Sequence, residues 1–164
     1  MTKSSMTLDG VTFENGSSST GATYVESVKS ELTIRNSLLT KFNRTAITSS
    51  NSEDTLTIEN CQFKEGGSMD IYGGAISVDD APLIIKNTTF QDTYANYGGA
   101  VYVQSNTGNA KTTIIEDSKF EACRAHRGGA IYSSDILLSA KNISFSNNSV
   151  FQDSDILEES NQDE

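Results

Sequence analysis

Few side chains in this sequence could do chemistry, and they are scattered. The only histidine, His126, stands in Cys123-Arg-Ala-His-Arg127 ahead of Gly128-Gly129. Beside two arginines it could serve as a general acid or base. No nucleophile or carboxylate recurs at a spacing that would bring one to it, so the plainer reading is a surface-loop histidine. Asp79-Asp80 follow an apolar strand pattern. With Arg124 and Arg127 they could form a carbohydrate site, the acids holding Ca²⁺ or acting as a carboxylate pair on a polysaccharide; the alternative is two solvated turn acids. No other metal-ligating or cofactor-binding pattern occurs, and the expectation is a chain without catalytic residues, metal or cofactor.

The two cysteines, Cys61 and Cys123, fall at different places in the repeat described below. They should lie about two rungs, or ~10 Å, apart along it, beyond disulfide reach. They read as two independent small side chains and leave the compartment open. Asn15, Asn43, Asn87, Asn142 and Asn147 each begin an Asn-x-Ser/Thr sequon. These would suit a glycosylated exterior, or they could follow simply from a composition rich in Ser, Thr and Asn.

Composition narrows the partners. With 22 acids against 12 bases the formal charge is −10, and no cluster of Lys and Arg supplies the footprint that a phosphate backbone needs. Nucleic acid is excluded as a partner on that ground. No stretch approaches the roughly 20 apolar residues of a membrane span, and Met1 to Ser5 are not followed by the apolar region of a secretion signal. At 164 residues, with 12 Gly, one Pro and no Trp, the chain has room for one domain, of β-structure with many polar turns.

The elements that position these residues are repeats. Met6-Thr-Leu-Asp-Gly-Val-Thr-Phe13 recurs with changes from Leu32, Leu56, Leu83, Thr113 and Leu138, at spacings of 26, 24, 27, 30 and 25 residues. The pattern is an apolar residue at the first, third and eighth positions and Asn, Asp or Gly at the fifth. A second segment led by small residues follows in five of the six repeats: Gly21-Ala22, Thr45-Ala46, Gly73-Gly74-Ala75, Gly98-Gly99-Ala100 and Gly128-Gly129-Ala130. Glycine permits a sharp corner and alanine fits where coils leave little lateral room. Each repeat therefore makes one coil with about three short strands, and the sequence predicts an all-β, single-stranded right-handed parallel β-helix over residues 1–150. Its six coils start near 6, 32, 56, 83, 113 and 138, and residues 151–164 follow as cap residues and an acidic tail.

Stacking such coils files matching positions into columns. Phe13, Leu39, Phe63, Phe90, Phe120 and Phe145 become a core column, beside those headed by Met6 and Leu8. Gly10, Asn36, Asn60, Asn87, Asp117 and Asn142 become a turn ladder, since these residues tolerate left-handed backbone and bond to nearby main chain. The outward position between them reads Asp9, Arg35, Glu59, Lys86, Glu116, Lys141. Its signs alternate throughout, so neighbours about 4.8 Å apart would attract. Thr7, Thr33 and Thr57 begin a threonine file of the kind an ice-binding plane needs, but Ile84, Ile114 and Ser139 break it.

The Gly-Gly-Ala-Ile/Val segments at Gly73 to Ile76, Gly98 to Val101 and Gly128 to Ile131, with Phe145-Ser-Asn-Asn148, resemble the GGA[I/V/L] and FxxN repeats of chlamydial polymorphic membrane proteins. They are also similar to the Gly-Gly-Ala-Ile-Tyr repeats of large surface proteins of ciliates and other protists. The resemblance implies a pectin-lyase-like β-helix displayed at the cell surface or outside the cell, used for adhesion or as a stalk. Together with the uncovered edge of the first coil, which a protein partner or neighbouring repeats would cover, this points to a non-enzymatic scaffold or adhesive module, a fragment or subunit of something larger. A carbohydrate-active β-helix is the alternative. Val150, Phe151, Ile156 and Leu157 are expected to cap the last coil, and Glu158 to Glu164 to form the solvated tail.

Overall fold

The structure, a computed structural model, describes residues 4–151. The chain winds through three parallel sheets, visiting each once per coil. The first sheet contains Ser5–Asp9, Glu31–Arg35, Leu56–Glu59, Leu83–Lys86, Lys111–Glu116 and Ile136–Lys141 in that spatial order. The second runs from Thr12–Glu14 through Leu38–Phe42, Gln62–Gly67, Thr89–Tyr97 and Lys119–Glu121 to Ser144–Ser146, with Arg124–Arg127 and Ser149–Val150 continuing its last rungs. The third holds Val25–Val28, Ile47–Ser50, Ile76–Asp79, Val101–Gln104 and Ile131–Ser134. Four strands begin ahead of the repeat boundaries, by one residue at Ser5 and Glu31 and by two at Lys111 and Ile136, because residues before the apolar column also pair, Ser5 with Glu31, Lys111 with Ile136 and Thr112 with Leu137.

Register follows the repeat residue for residue: Leu32 lies opposite Leu56, Leu56 opposite Leu83, and Leu83 opposite Thr113. The Phe column is a stack of rings, with Phe63–Phe90, Phe90–Phe120 and Phe120–Phe145 centroids 5.0, 4.9 and 5.2 Å apart and planes within 18°. Rung spacing alone brings rings that close, and offset stacking adds to the burial of each.

Continuous packing holds in the middle coils and fails at the ends. Leu39, Phe63, Phe90 and Phe120 are fully buried, whereas Leu8 and Phe13 are half-buried, and Met6, Leu138 and Ala140 are exposed. Phe145, expected in the core, is 57 % exposed. A β-helix residue is covered from two sides along the axis, and the first and last coils have a neighbour on one side only among the described residues. Val150, expected to cap the last coil, is 56 % exposed because it lies in an edge strand beside Ala125. Ile156, Leu157 and the acidic end lie outside the described residues.

Left-handed backbone recurs at the corners, and among the described residues two columns carry it in all six coils. Gly10, Asn36, Asn60, Asn87, Asp117 and Asn142 all have φ between 44° and 67°, the geometry that the turn ladder favours. The second such column is less legible: Asn15, Lys41, Glu65, Asp92, Ala122 and Asn147 have φ between 52° and 58°. At the small-residue corner, Gly73, Gly98 and Gly128 also have positive φ. The second glycine of each motif does something different, since a Cβ on Gly74 or Gly99 would stand 2.1 Å from the carbonyl oxygen of the corresponding glycine one coil on. Those positions are small because successive backbones touch there.

Phe90→Ala should cost about 3–5 kcal/mol of unfolding free energy, and Phe145→Ala no more than about 1.5 kcal/mol, both read from urea melts. Thr113 occupies a leucine position in the first core column with its hydroxyl buried and without a partner. Thr113→Val should therefore raise stability by about 1 kcal/mol in the same assay.

Candidate functional site

Three surface features concentrate polar or aromatic side chains. The first is a groove of about 520 Å³ along the second left-handed corner, lined by Glu65, Asp92, Thr93, Tyr94, Ala122, Arg124 and Phe151. Left-handed φ at Glu65 and Asp92 turns both carboxylates outward onto adjacent rungs, and both are exposed. Arg124 sits opposite Tyr94 in the neighbouring strand. The groove is an open acidic furrow with one cation at its edge, and no histidine lines it.

Beside it, where the second sheet meets the third, four tyrosines interlock. Tyr72, Tyr102 and Tyr132 stack face to face along the axis, with centroids 5.0 and 5.3 Å apart. Tyr97 meets Tyr72 and Tyr132 edge-on at 5.3 and 5.1 Å, and the Arg127 guanidinium lies 5.6 Å from its ring centroid. This file grows from the Gly-Gly-Ala corner: Tyr102 and Tyr132 are paired in register two residues after the alanine. Tyr102 is buried and its hydroxyl bonds to Gln104. Burial, then the phenols and Asp79 around it, push its pKa up to about 12. Tyr72 is 53 % exposed and offers a flat ring to solvent. His126 packs against Phe151 with ring centroids 5.6 Å apart.

The third feature is the acid pair. Asp79 ends a strand of the third sheet, whereas Arg124 and Arg127 belong to the second, so the four residues of the carbohydrate-site expectation stand on two sheets rather than in one groove. Asp80 is not a solvated turn acid: it is buried, with φ of 54°. One of its oxygens accepts hydrogen bonds from the Ser105 hydroxyl and the Asn106 N–H, both at 2.8 Å, and from the N–H and hydroxyl of Thr107, both at 3.2 Å. Asp79 accepts bonds from the Gln104 and Asn106 side-chain amides at 3.2 and 3.0 Å. Together they fasten the loop of the next coil. Burial alone would raise the Asp80 pKa, but the four donors outweigh it and hold the carboxyl below its ordinary 3.8.

The columns engage further polar groups. Asp9, Arg35, Glu59, Lys86, Glu116 and Lys141 are consecutive partners in one outward row. Contacts close between Asp9 and Arg35 at 2.9 Å and between Lys86 and Glu116 at 3.3 Å. In the turn ladder each amide donates to the coil before it: Asn36 to Asp9, Asn60 to Asn36, Asn87 to Asn60 and Asn142 to Asp117, at 2.7–3.2 Å. One position further on, inside the corner, Ser37, Thr88 and Ser118 donate to the carbonyl two residues back and accept a backbone N–H from the preceding coil. Cys61 occupies the same file and points its thiol at the Glu59 carbonyl, 3.2 Å away.

Cys123 occupies another file, its Sγ 3.4 Å from the Thr93 hydroxyl. Both cysteines are free and buried, and burial raises both thiol pKa values, which keeps them unreactive. Asn148 of the Phe-x-x-Asn motif turns inward above Cys123, accepting its N–H at 2.8 Å and donating to the Phe120 carbonyl at 3.0 Å. All five sequon asparagines are exposed. Of these, Asn87 and Asn142 already use their amide nitrogens in the turn ladder. Among the described residues no group of three or more His, Cys, Asp or Glu is arranged to hold a metal ion, and no helix is long and apolar enough to cross a membrane.

Three parallel sheets wound coil upon coil, with a stacked interior and ladders at the corners, define a parallel β-helix. The chain belongs to the family of right-handed β-helix regions, which it matches over residues 1–161. No match was found among curated proteins or among solved structures.

The depressed Asp80 pKa has a pH signature. Its contribution is complete above the ordinary carboxylate range and disappears as pH falls through the lowered folded value. Asp80→Asn should therefore cost about 1–3 kcal/mol at pH 7, and the gap to the wild type should narrow as pH falls below the ordinary carboxylate value of 3.8, as read from unfolding curves across that range.

Proposed function

We propose that this β-helix works as a non-catalytic scaffold or adhesive module. The observation that carries this reading is its pair of open coil edges. Among the described residues, the first and last coils present strands paired on one side only and apolar side chains, including Met6, Leu137, Leu138, Phe145 and Val150, at the two places where another β-structure could add on. The charged groups between them support it. Asp79 and Asp80 fasten a loop, and Asp9, Arg35, Lys86 and Glu116 pair along the stack. Display at a cell surface rests on the repeat resemblance and on exposed sequons such as Asn15, Asn43 and Asn147.

A second reading has one specific observation in its favour. The tyrosine file ends in an exposed ring, Tyr72, with Arg127 on the adjoining Tyr97. Flat aromatic surfaces rimmed by polar groups suit the apolar face of a sugar. On this reading the module holds a glycan rather than cleaving it. A net charge of −10 disfavours polyanionic glycans and leaves neutral ones.

Incubation with acidic and neutral polysaccharides separates these readings from catalysis. The scaffold reading expects no released fragments from the wild type. Fragments released by the wild type and lost in Asp80→Ala would overturn it. Affinity electrophoresis through neutral glycans tests the second reading: retardation that falls at least fivefold in Tyr72→Ala is its expected outcome, and equal mobility with and without glycan removes it.

A further inference from the structure

Aromatic and cationic side chains collect on one face of the second sheet, in the third to fifth coils, and we propose that this strip docks a short acidic segment of another protein. This names the kind of partner that the scaffold reading requires and rests on that reading.

Strand alternation puts the strip on the outside. Ala95 and Ala125 are paired in register and fully buried, so the residues flanking them, Tyr94 and Asn96 on one strand and Arg124 and His126 on the next, face outward. Tyr97 lies opposite Arg127, and an isolated bridge sets Tyr72 beside Tyr97. Two furrows meet here at Phe151: the acidic one described above, and a second of about 500 Å³ lined by Met69, Asn96, Tyr97, His126, Arg127 and Phe151. Among the described residues, the exposed large apolar and aromatic side chains lie in the first or last coil except for Tyr72 and Tyr94, 53 % and 40 % exposed, and both belong to this strip. Tyrosine, arginine, methionine and phenylalanine are the side chains in which protein interfaces are enriched, and tyrosine and arginine carry much of the binding energy there.

Charge decides the occupant. Arg124 and Arg127 flank His126 in a chain of net charge −10, and among the described residues none of the three makes an ion pair. The acids lining the furrows, Glu65 and Asp92, stand at the corner, on the far side of Tyr94 from Tyr97. A guanidinium takes a carboxylate through two parallel N–H bonds. Arg124 and Arg127 are three residues apart, about 10 Å along the strand, which carboxylates three residues apart on an extended peptide match. The strand Arg124–Arg127 is already paired on both sides, so the segment lies across the sheet face and is held by side chains instead of adding to the ladder. Apolar residues next to its acids then cover Tyr72 and Tyr94. The chain's net charge opposes a long polyanion, but at physiological salt its reach is about 8 Å, so a short segment confined to the strip meets the arginines. A neutral sugar would leave both arginines unused.

Fluorescence anisotropy of labelled peptides titrated with the full chain tests this, using Gly-Glu-Leu-Gly-Glu-Leu-Gly and an analogue with glutamine in place of each glutamate. The acidic peptide should bind about tenfold more tightly than the analogue, and the difference should shrink as salt is raised. Arg124→Gln and Arg127→Gln should each weaken the acidic peptide about threefold or more. Arg127→Lys should fall between wild type and Arg127→Gln, because it keeps the charge and loses the two-bond geometry. Tyr72→Ala should weaken both peptides alike. Lys141→Gln, which removes a positive charge from the first sheet, should leave binding unchanged, and circular dichroism of each variant reports whether the coils are intact. No binding of the acidic peptide at about 1 mM protein, equal affinity for the two peptides, or the same loss in Lys141→Gln overturns the proposal. Retardation by a neutral glycan through Tyr72, in a chain that ignores the acidic peptide, also overturns it and gives the strip to the second reading. Each of these results removes the acidic-segment site alone and leaves the scaffold reading standing; fragments released in the polysaccharide assay strike the scaffold reading itself.

Discussion

Everything in this protein depends on in-register stacking of one coil directly over the next. In a parallel ladder each strand takes its hydrogen bonds from the coils above and below, so a residue's most important neighbours are those one repeat away in sequence. That constraint makes each column a chemical series. Phenylalanines face phenylalanines at about 5 Å, side-chain amides hand a hydrogen bond from coil to coil, and acids alternate with bases because like charges on adjacent rungs would repel. The second glycine of the Gly-Gly-Ala motif belongs to the same logic, since backbone carbonyls approach so closely that a methyl group would collide.

The constraint also explains why polar side chains here hold structure. Corners leave backbone groups that neither sheet satisfies, and buried ones need partners. Serine and threonine hydroxyls inside the first corner, Asn148 above Cys123, and Asp80 beneath the following loop each supply such a partner. Groups held that way have their positions fixed by the coils on either side. Among the described residues the first and last coils have a neighbouring coil on one side only, and most of the exposed large apolar side chains lie there.

The sequence by itself determined the repeat, and with it the family of fold, the register, the Phe column, the turn ladder and the alternating charge row. These are legible because a column imposes residue type: an inward position must be apolar, and a turn with positive φ favours Asn, Asp or Gly. Only the tertiary structure decided the rest. The second left-handed corner, at Asn15, Lys41, Glu65, Asp92, Ala122 and Asn147, has no residue signature, since stacking rather than local preference holds lysine, glutamate and alanine in that backbone. Phe42 fills the space left open at Gly66 one coil later, a large-for-small exchange between columns that no single repeat reveals. Asp80 reads as a surface acid until the donors of Ser105, Asn106 and Thr107 are seen to converge on it. Four tyrosines from 72 to 132 become neighbours only when three coils lie together. In each case the deciding contact joins residues about 25 positions apart or more, whose meeting depends on where the variable loops let each coil begin.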